Sequence, residues 1–127
     1  MRRIAIVIGS DSDLPQCLSG LLFLNQAQDE GKIEVSGDVH TMSVHRNLPV
    51  VLRYLEERHK WCDIDVIIAG AGWAAHLPGV LDAYLGYALG DRRIAVIGVG
   101  FEDSEDARHG TAAELSISEV PGTRVIF

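Results

Sequence analysis

Two glycines, a tryptophan and a histidine share one short segment, G-A-G-W-A-A-H-L-P-G, at residues 70–79. Gly70 and Gly72 lack side chains and would let a planar ligand lie directly on the backbone. His76 begins a predicted helix, and the helix dipole favours a neutral imidazole there, which leaves it able to assist a proton transfer. The segment therefore predicts a site for a flat molecule, with the position of the Trp73 indole left open.

A serine, a histidine and an arginine lie close together in S-V-H-R, at residues 43–46. An arginine guanidinium matches the geometry of a phosphate, and histidine is the side chain that changes charge near neutral pH. His45 and Arg46 therefore suggest proton transfer beside a bound phosphate. Taken alone, the pair is better explained as surface residues at a helix start, so this interpretation depends on the other segments.

The segment G-S-D-S-D, at residues 9–13, has the composition of a phosphate-binding turn. Its glycine permits a tight turn, and serine hydroxyls together with free helix amides can hold a phosphate. A carboxylate would repel that phosphate, so Asp13 is better suited to sugar hydroxyls. Ser12 or Asp13 is equally suited to cap a helix that has Pro15 in its first turn, and both roles are compatible.

The elements predicted to precede these segments support a common site. The pattern predicts an α/β three-layer sandwich with a parallel sheet of about five strands, in which ligands bind beyond the carboxyl ends of the strands. The predicted strands are Arg3–Ile8, Ile33–Val39, Asp65–Ala69, Ile94–Val99 and Thr123–Phe127. The predicted helices are Leu14–Gln28, Leu48–His59 and Ala74–Leu89. The acidic segment Gly100–Thr111 is predicted to be a solvated loop.

Composition narrows the class of protein. The 127 residues predict a single domain, 1–127, and a net charge of −7 argues against a general binder of nucleic acid or anionic membranes. No segment predicts a membrane span or a signal peptide, and the two cysteines form neither a C-x-x-C pair nor a metal cluster. We therefore expect a cytoplasmic chain without a metal site.

The remaining histidines and Trp61 are predicted to be structural or surface residues. His40 falls in the second strand, His59 ends a helix, and His109 lies in the acidic loop. The surface near the last predicted strand is expected to contact a partner subunit, because a sheet of this class needs cover on both faces.

The three segments, in this order, resemble the N5-carboxyaminoimidazole ribonucleotide mutase family, PurE, of purine biosynthesis. The similarity runs from Ile4 to about Val125 and includes S-I at residues 116–117 and V-P-G at residues 120–122. The resemblance implies a flavodoxin-like fold, a homo-oligomer (octameric in the family) and a small ribonucleotide as substrate. It also implies transfer of a carboxylate from the exocyclic nitrogen to ring carbon C4, with no metal or organic cofactor.

The same resemblance assigns the site. It implies that His45 is the general acid and base and that His76 assists it. The implied substrate-binding residues are Gly9, Ser10, Asp11, Asp13, Ser43, Arg46, Gly70, Ala71, Gly72 and Trp73. A carboxylase that uses free carbon dioxide, a non-catalytic nucleotide-binding homologue and a flavin-binding domain remain as alternatives.

The chain also departs from the family pattern. Trp73 replaces a glycine, Gly100 stands where the family has a proline, the segment between the first two loops is longer, and the family's C-terminal helices are not matched. Three interpretations of Trp73 follow: a lid over the ring, a plug that fills the pocket, or a subunit contact.

Overall fold

The computed structural model of the chain describes residues 1–127. Its strands are β1 Arg2–Ile8, β2 Ile33–Val35, β3 His40–Thr41, β4 Val66–Gly72 and β5 Ala95–Phe101. Its helices are α1 Leu14–Asp29, α2 Leu48–Trp61, α3 Leu77–Ala83, which continues as a π-helical turn over Tyr84–Ala88, and α4 Ala107–Ser118. None of these helices is both long enough and apolar enough to cross a membrane.

All strand pairs are parallel, in the order β2-β1-β4-β5, with β3 beside the end of β1. In the register, Ile4 lies opposite Val66, which lies opposite Ala95. The strands therefore end at a common carboxyl edge. This arrangement confirms the predicted α/β class and the flavodoxin-like sheet of five strands.

The two faces of the sheet are covered unequally. On one face, Val7 and Ile67 belong to a buried core with residues of α2, α3 and α4, among them Leu55 and Leu81. On the other face, α1 has no buried residue. The strand residues there and half-buried leucines of α1 line an apolar gap of about 210 Å³. Most of the apolar burial therefore lies on the α2–α4 side.

The second predicted strand, Ile33–Val39, is wrong after Val35. It ends at Val35, and the chain resumes pairing at His40 as β3. Between them Gly37 has a φ of +73°, a conformation that glycine adopts without steric cost. Gly37 and Asp38 form a bend here, which separates β2 from β3.

The predicted final strand, Thr123–Phe127, is reduced to one parallel bridge between Ile126 and Ile97. Ile126 exchanges two backbone hydrogen bonds with β5, and Arg124 provides a second attachment, to α3. The Arg124 backbone N–H and Nη2 each donate to the carboxylate of buried Asp82, both at 3.0 Å. The segment is therefore attached both to β5 and to α3.

The prediction of a loop over Gly100–Thr111 is correct only for residues 102–106. Strand β5 extends through Phe101, and α4, which the sequence pattern did not reveal, begins at Ala107. Asp106 caps this helix by accepting from the Arg108 backbone N–H at 2.9 Å. Buried Ala113 and Ile117, four residues apart, form the apolar face of α4.

Candidate active site

A cavity of about 440 Å³ opens at the carboxyl edge of the sheet. Its walls come from the three segments that follow β1, β3 and β4. These are the segments in which the sequence predicts chemistry. The topology brings them together because parallel strands release their crossovers at the same edge.

The segment after β1 forms a tight turn that supplies one wall. The Gly9 N–H donates to the Gly70 carbonyl at 3.0 Å, and the Ser10 and Ser12 hydroxyl oxygens lie 2.9 Å apart. Asp13 lines the cavity and its carboxylate has no hydrogen-bond partner; burial raises the pKa of Asp13 above its usual value. Its unpaired oxygens are available to a ligand hydroxyl.

Asp11 lies outside the cavity lining, in contrast to its predicted binding role. Its Oδ1 accepts from the Thr41 hydroxyl at 2.5 Å and ties the first turn to β3. The structure therefore gives Asp11 a role in holding the turn.

The segment after β3 places an unpaired cation in the cavity. The Ser43 hydroxyl accepts from the Arg46 backbone N–H at 3.3 Å, and Arg46 Nη2 donates to the Gly9 carbonyl at 3.2 Å. No carboxylate lies within ion-pair distance of Arg46, which is exposed. A guanidinium held at one nitrogen keeps its other donors free for an anion.

Two histidines from different segments contact each other in the same cavity. His45 Nε2 lies 2.7 Å from His76 Nδ1, with ring centroids 4.9 Å apart and an angle of 85° between the rings. One nitrogen must donate and the other accept. Consequently, at most one of the two rings can carry a positive charge while this contact lasts. The sequence placed both residues at strand ends but did not predict that they touch.

The carboxyl end of β4 contributes small residues, but only in part as predicted. Ala71 and Gly72 line the cavity. Gly70 does not, and a Cβ atom at Gly70 would lie 2.5 Å from Phe101 Cζ. The Phe101 ring occupies the space over Gly70 on the α1 side of the sheet, so the structure does not bring Gly70 into the cavity with the other predicted residues.

Trp73 lies at the rim of the cavity and is 61% exposed. Its indole stacks on the His109 ring, with centroids 3.7 Å apart and an interplanar angle of 22°. The cavity stays open beside it, which argues against the plug interpretation. The prediction that His109 is a loop residue is also wrong, since it is half-buried in α4. No sequence signal links two residues this far apart.

Comparison with known proteins finds relatives over nearly the whole chain. A family model described as AIR carboxylase matches residues 3–125. The chain is 39% identical over 124 residues to an N5-carboxyaminoimidazole ribonucleotide mutase of Pyrococcus abyssi, covering 95% of this chain and 60% of that one. It is 32% identical over 122 residues to the protein of the same name from Thermotoga maritima, covering 96% and 62%. The chain thus spans about three fifths of the length of these curated relatives.

Comparison with solved structures supports the fold. The crystal structure of Treponema denticola PurE matches with a TM-score of 0.73 at 19% identity, covering 99% of this chain and 70% of that chain. Because the family model matches nearly the whole chain and curated relatives exceed 30% identity over most of it, the chain belongs to the AIR carboxylase family.

Proposed function

We propose that this chain interconverts N5-carboxyaminoimidazole ribonucleotide and 4-carboxy-5-aminoimidazole ribonucleotide, as an isomerase. The observation that carries the proposal is the 2.7 Å contact between His45 and His76 in a cavity that also holds the unpaired Arg46. The names of the matched relatives support the choice of substrate.

The phosphate of the substrate is assigned to the turn after β1 and to Arg46. Ser10 and Ser12 offer hydroxyl groups there, and the free donors of Arg46 supply the positive charge. Asp13, on the same wall, accepts from ribose hydroxyls. This arrangement keeps the carboxylate on the sugar and the guanidinium on the phosphate, which avoids repulsion between two anions.

The proton transfers are assigned to His45. When His45 is protonated, its Nε2–H donates to His76 Nδ1 and its Nδ1–H remains for the substrate. Breaking the bond between the carboxylate carbon and N5 releases carbon dioxide and leaves its electron pair on nitrogen, which takes the proton from His45. Ring carbon C4 then attacks carbon dioxide, and neutral His45 removes the C4 proton. The cycle returns the histidine to its starting charge with no other reagent.

Carbon dioxide must remain beside the ring between these steps. Ala71, Gly72 and Trp73 line the same cavity as the histidine pair, and the small size of Ala71 and Gly72 allows the ring to approach the backbone closely. His76 is a positioning residue, since its hydrogen bond fixes which nitrogen of His45 faces the substrate.

The test is a direct assay. Purified protein is mixed with N5-carboxyaminoimidazole ribonucleotide carrying a ¹³C-labelled carboxylate, in unlabelled bicarbonate, and the product is followed by NMR. We expect the label in the carboxylate attached to C4 of the product. Loss of the label to the bicarbonate pool, with unlabelled product, would indicate a carboxylase that uses free carbon dioxide. A folded protein that interconverts neither ribonucleotide would refute the proposal.

We also propose that the chain works as a homo-oligomer in the cytoplasm. On α1, Leu18, Leu22 and Phe23 are each more than half exposed, an unusual apolar surface for a chain that acts alone. The two free thiols, Cys17 and Cys62, suit a reducing compartment. Light scattering of the purified protein tests the first statement, because a monomer at micromolar concentration would contradict it.

A further inference from the structure

We propose that Trp73, supported by His109 and Asp103, is an aromatic platform on which the flat ring of the bound ribonucleotide stacks. The inference rests on the proposed function and adds to it a positioning residue, Trp73, and the two residues that hold it. The platform lies at the rim of the cavity, where Trp73 follows β4 and contacts His109 of α4.

The backbone at Trp73 indicates that the indole is kept at this place for a reason other than local stability. Its φ is +56°, in the left-handed region that favours glycine. Only Cys62 among the other non-glycine residues has a positive φ. Such strain persists where the surrounding structure holds the residue, and it is concentrated at functional sites.

The indole is held from behind by a chain of contacts. The His109 ring lies 3.7 Å from it, and His109 Nδ1 lies 2.6 Å from Asp103 Oδ2. Asp103 Oδ1 in turn accepts from the Glu105 N–H at 2.9 Å. The hydrogen bond from His109, then that from the Glu105 amide, lowers the pKa of Asp103 and keeps its carboxylate charged. The stack therefore joins the crossover after β4 to the one after β5.

The segment that carries Asp103 is itself fastened to α1. Gln16 Nε2 donates to the Glu102 carbonyl at 2.8 Å, and the Glu102 N–H donates to Gln16 Oε1 at 3.1 Å. The support behind the indole is thus part of the folded body rather than a free loop. A rigid support matters because a preorganised surface loses little entropy when a ligand binds.

The other side of the indole is available. One face is covered by His109, yet 61% of Trp73 remains exposed and the residue lines the cavity together with His45 and Arg46. A ring bound between Arg46, which takes the phosphate, and His45, which reaches N5 and C4, meets this wall. Offset stacking on an indole suits an electron-rich aminoimidazole and is independent of the phosphate contact.

Two ligands separate stacking from phosphate binding: 4-carboxy-5-aminoimidazole ribonucleotide, and ribose 5-phosphate, which has no ring. Calorimetric titration of Trp73→Gly should give about tenfold weaker binding of the ribonucleotide and unchanged binding of ribose 5-phosphate. Trp73→Phe keeps a flat ring and should bind the ribonucleotide within about threefold of the wild type. His109→Gln should fall between the two, because the indole loses its support.

A spectroscopic measurement adds a signature that a structural role would not produce. Trp61 lies at the end of α2, outside the cavity, so Trp61→Phe leaves Trp73 as the sole indole. In that background the ribonucleotide should quench indole emission, and ribose 5-phosphate should leave it unchanged.

Each outcome decides the proposal. If Trp73→Gly binds the ribonucleotide as the wild type does, or weakens both ligands equally, the platform is refuted while the proposed function stands. If the wild type binds neither ligand, the proposed function fails and the platform fails with it. If Trp73→Gly does not fold, Trp73→Phe and the emission of Trp73 still test the stack.

Discussion

The two ends of the sheet contain the same kinds of side chain in opposite arrangements. At the amino edge, where the strands begin, Asp65 forms an ion pair with Arg3 at 3.0 Å. The carboxylate of buried Asp91 contacts both His59 and Arg93 there. At the carboxyl edge, Arg46 has only a carbonyl partner and the Asp13 carboxylate has none. The charges named at the amino edge are paired with one another, whereas Arg46 and Asp13 at the carboxyl edge are left for a ligand.

The histidines at the two edges also differ in their partners. His59 Nδ1 lies 2.8 Å from the carboxylate of Asp91, whose side chain is fully covered, whereas His45 contacts only another exposed histidine. His59 is thus bound to an anion that belongs to the folded chain, whereas the His45–His76 pair is exposed to the cavity. Equal residue types are therefore tied into the fold at one edge and face the candidate site at the other.

The largest effect that this comparison predicts is on turnover. His45→Asn keeps a polar group of similar size but removes the proton carrier, and kcat should fall by about 10³-fold. Affinity for 4-carboxy-5-aminoimidazole ribonucleotide, measured by calorimetry, should change by no more than about threefold. His59→Asn is the matched control at the amino edge and should leave kcat unchanged. Equal losses of turnover in the two variants would abolish the distinction between the edges.

The next largest effect concerns the unpaired cation. Arg46→Ala should weaken binding of ribose 5-phosphate by about 30-fold, because charge-assisted hydrogen bonds to the phosphate are lost. The urea midpoint should stay unchanged, since Arg46 forms no ion pair. Arg93→Ala is the matched variant at the amino edge. It should lower the urea midpoint and leave the affinity for ribose 5-phosphate unchanged. If Arg46→Ala bound ribose 5-phosphate with unchanged affinity, the assignment of the phosphate to Arg46 would be wrong.

A third effect tests the amino edge alone. Burial would raise the pKa of Asp91, but hydrogen bonds from His59 and Arg93 outweigh it and hold that pKa below its usual value. Asp91→Asn leaves His59 and the Arg93 guanidinium without their carboxylate, and the free energy of unfolding should fall by about 2 kcal/mol. Urea unfolding measures it. Ligand affinity should not change, and a parallel loss of affinity would mean that the two edges are coupled.

The sequence predicts the parts of this molecule that depend on local pattern. Runs such as I-A-I-V-I at residues 4–8 are apolar at successive positions, which identifies strands buried on both faces. The carboxyl-edge rule then places Ser10, His45 and His76 together before any coordinates are known. The fold and most of the cavity lining therefore follow from periodicity, turn residues and topology.

What the sequence could not predict depends on contacts between distant segments. Gly70 reads as a ligand-binding glycine, yet the space over it belongs to Phe101, some thirty residues later. The stack of Trp73 on His109 and the pairing of Arg124 with Asp82 have no local signal either. Helix α4 was missed because its acidic, glycine-containing start resembles a loop and its apolar face consists of few residues.

The smallest effect depends on pH and again belongs to the amino edge. The hydrogen bond from the Arg3 guanidinium, then that from its backbone N–H, lowers the pKa of Asp65 from 3.8 to about 2. A carboxyl whose pKa is lower in the folded than in the unfolded chain stabilises the fold above the unfolded value. That stabilisation is lost as the pH falls through the folded value.

Asp65→Asn should therefore lower the melting temperature at pH 7 by about 2 °C, a small shift because the ion pair is partly exposed to water. The difference from the wild type should persist down to about pH 4 and then shrink between pH 3.8 and about 2, where the wild-type carboxyl gains its proton. Asp38→Asn, at an exposed carboxylate without an ion pair, serves as the control and should show no such change. A wild-type advantage that stays constant at pH 3 would mean that shape, rather than charge, makes the Asp65 contact stabilising.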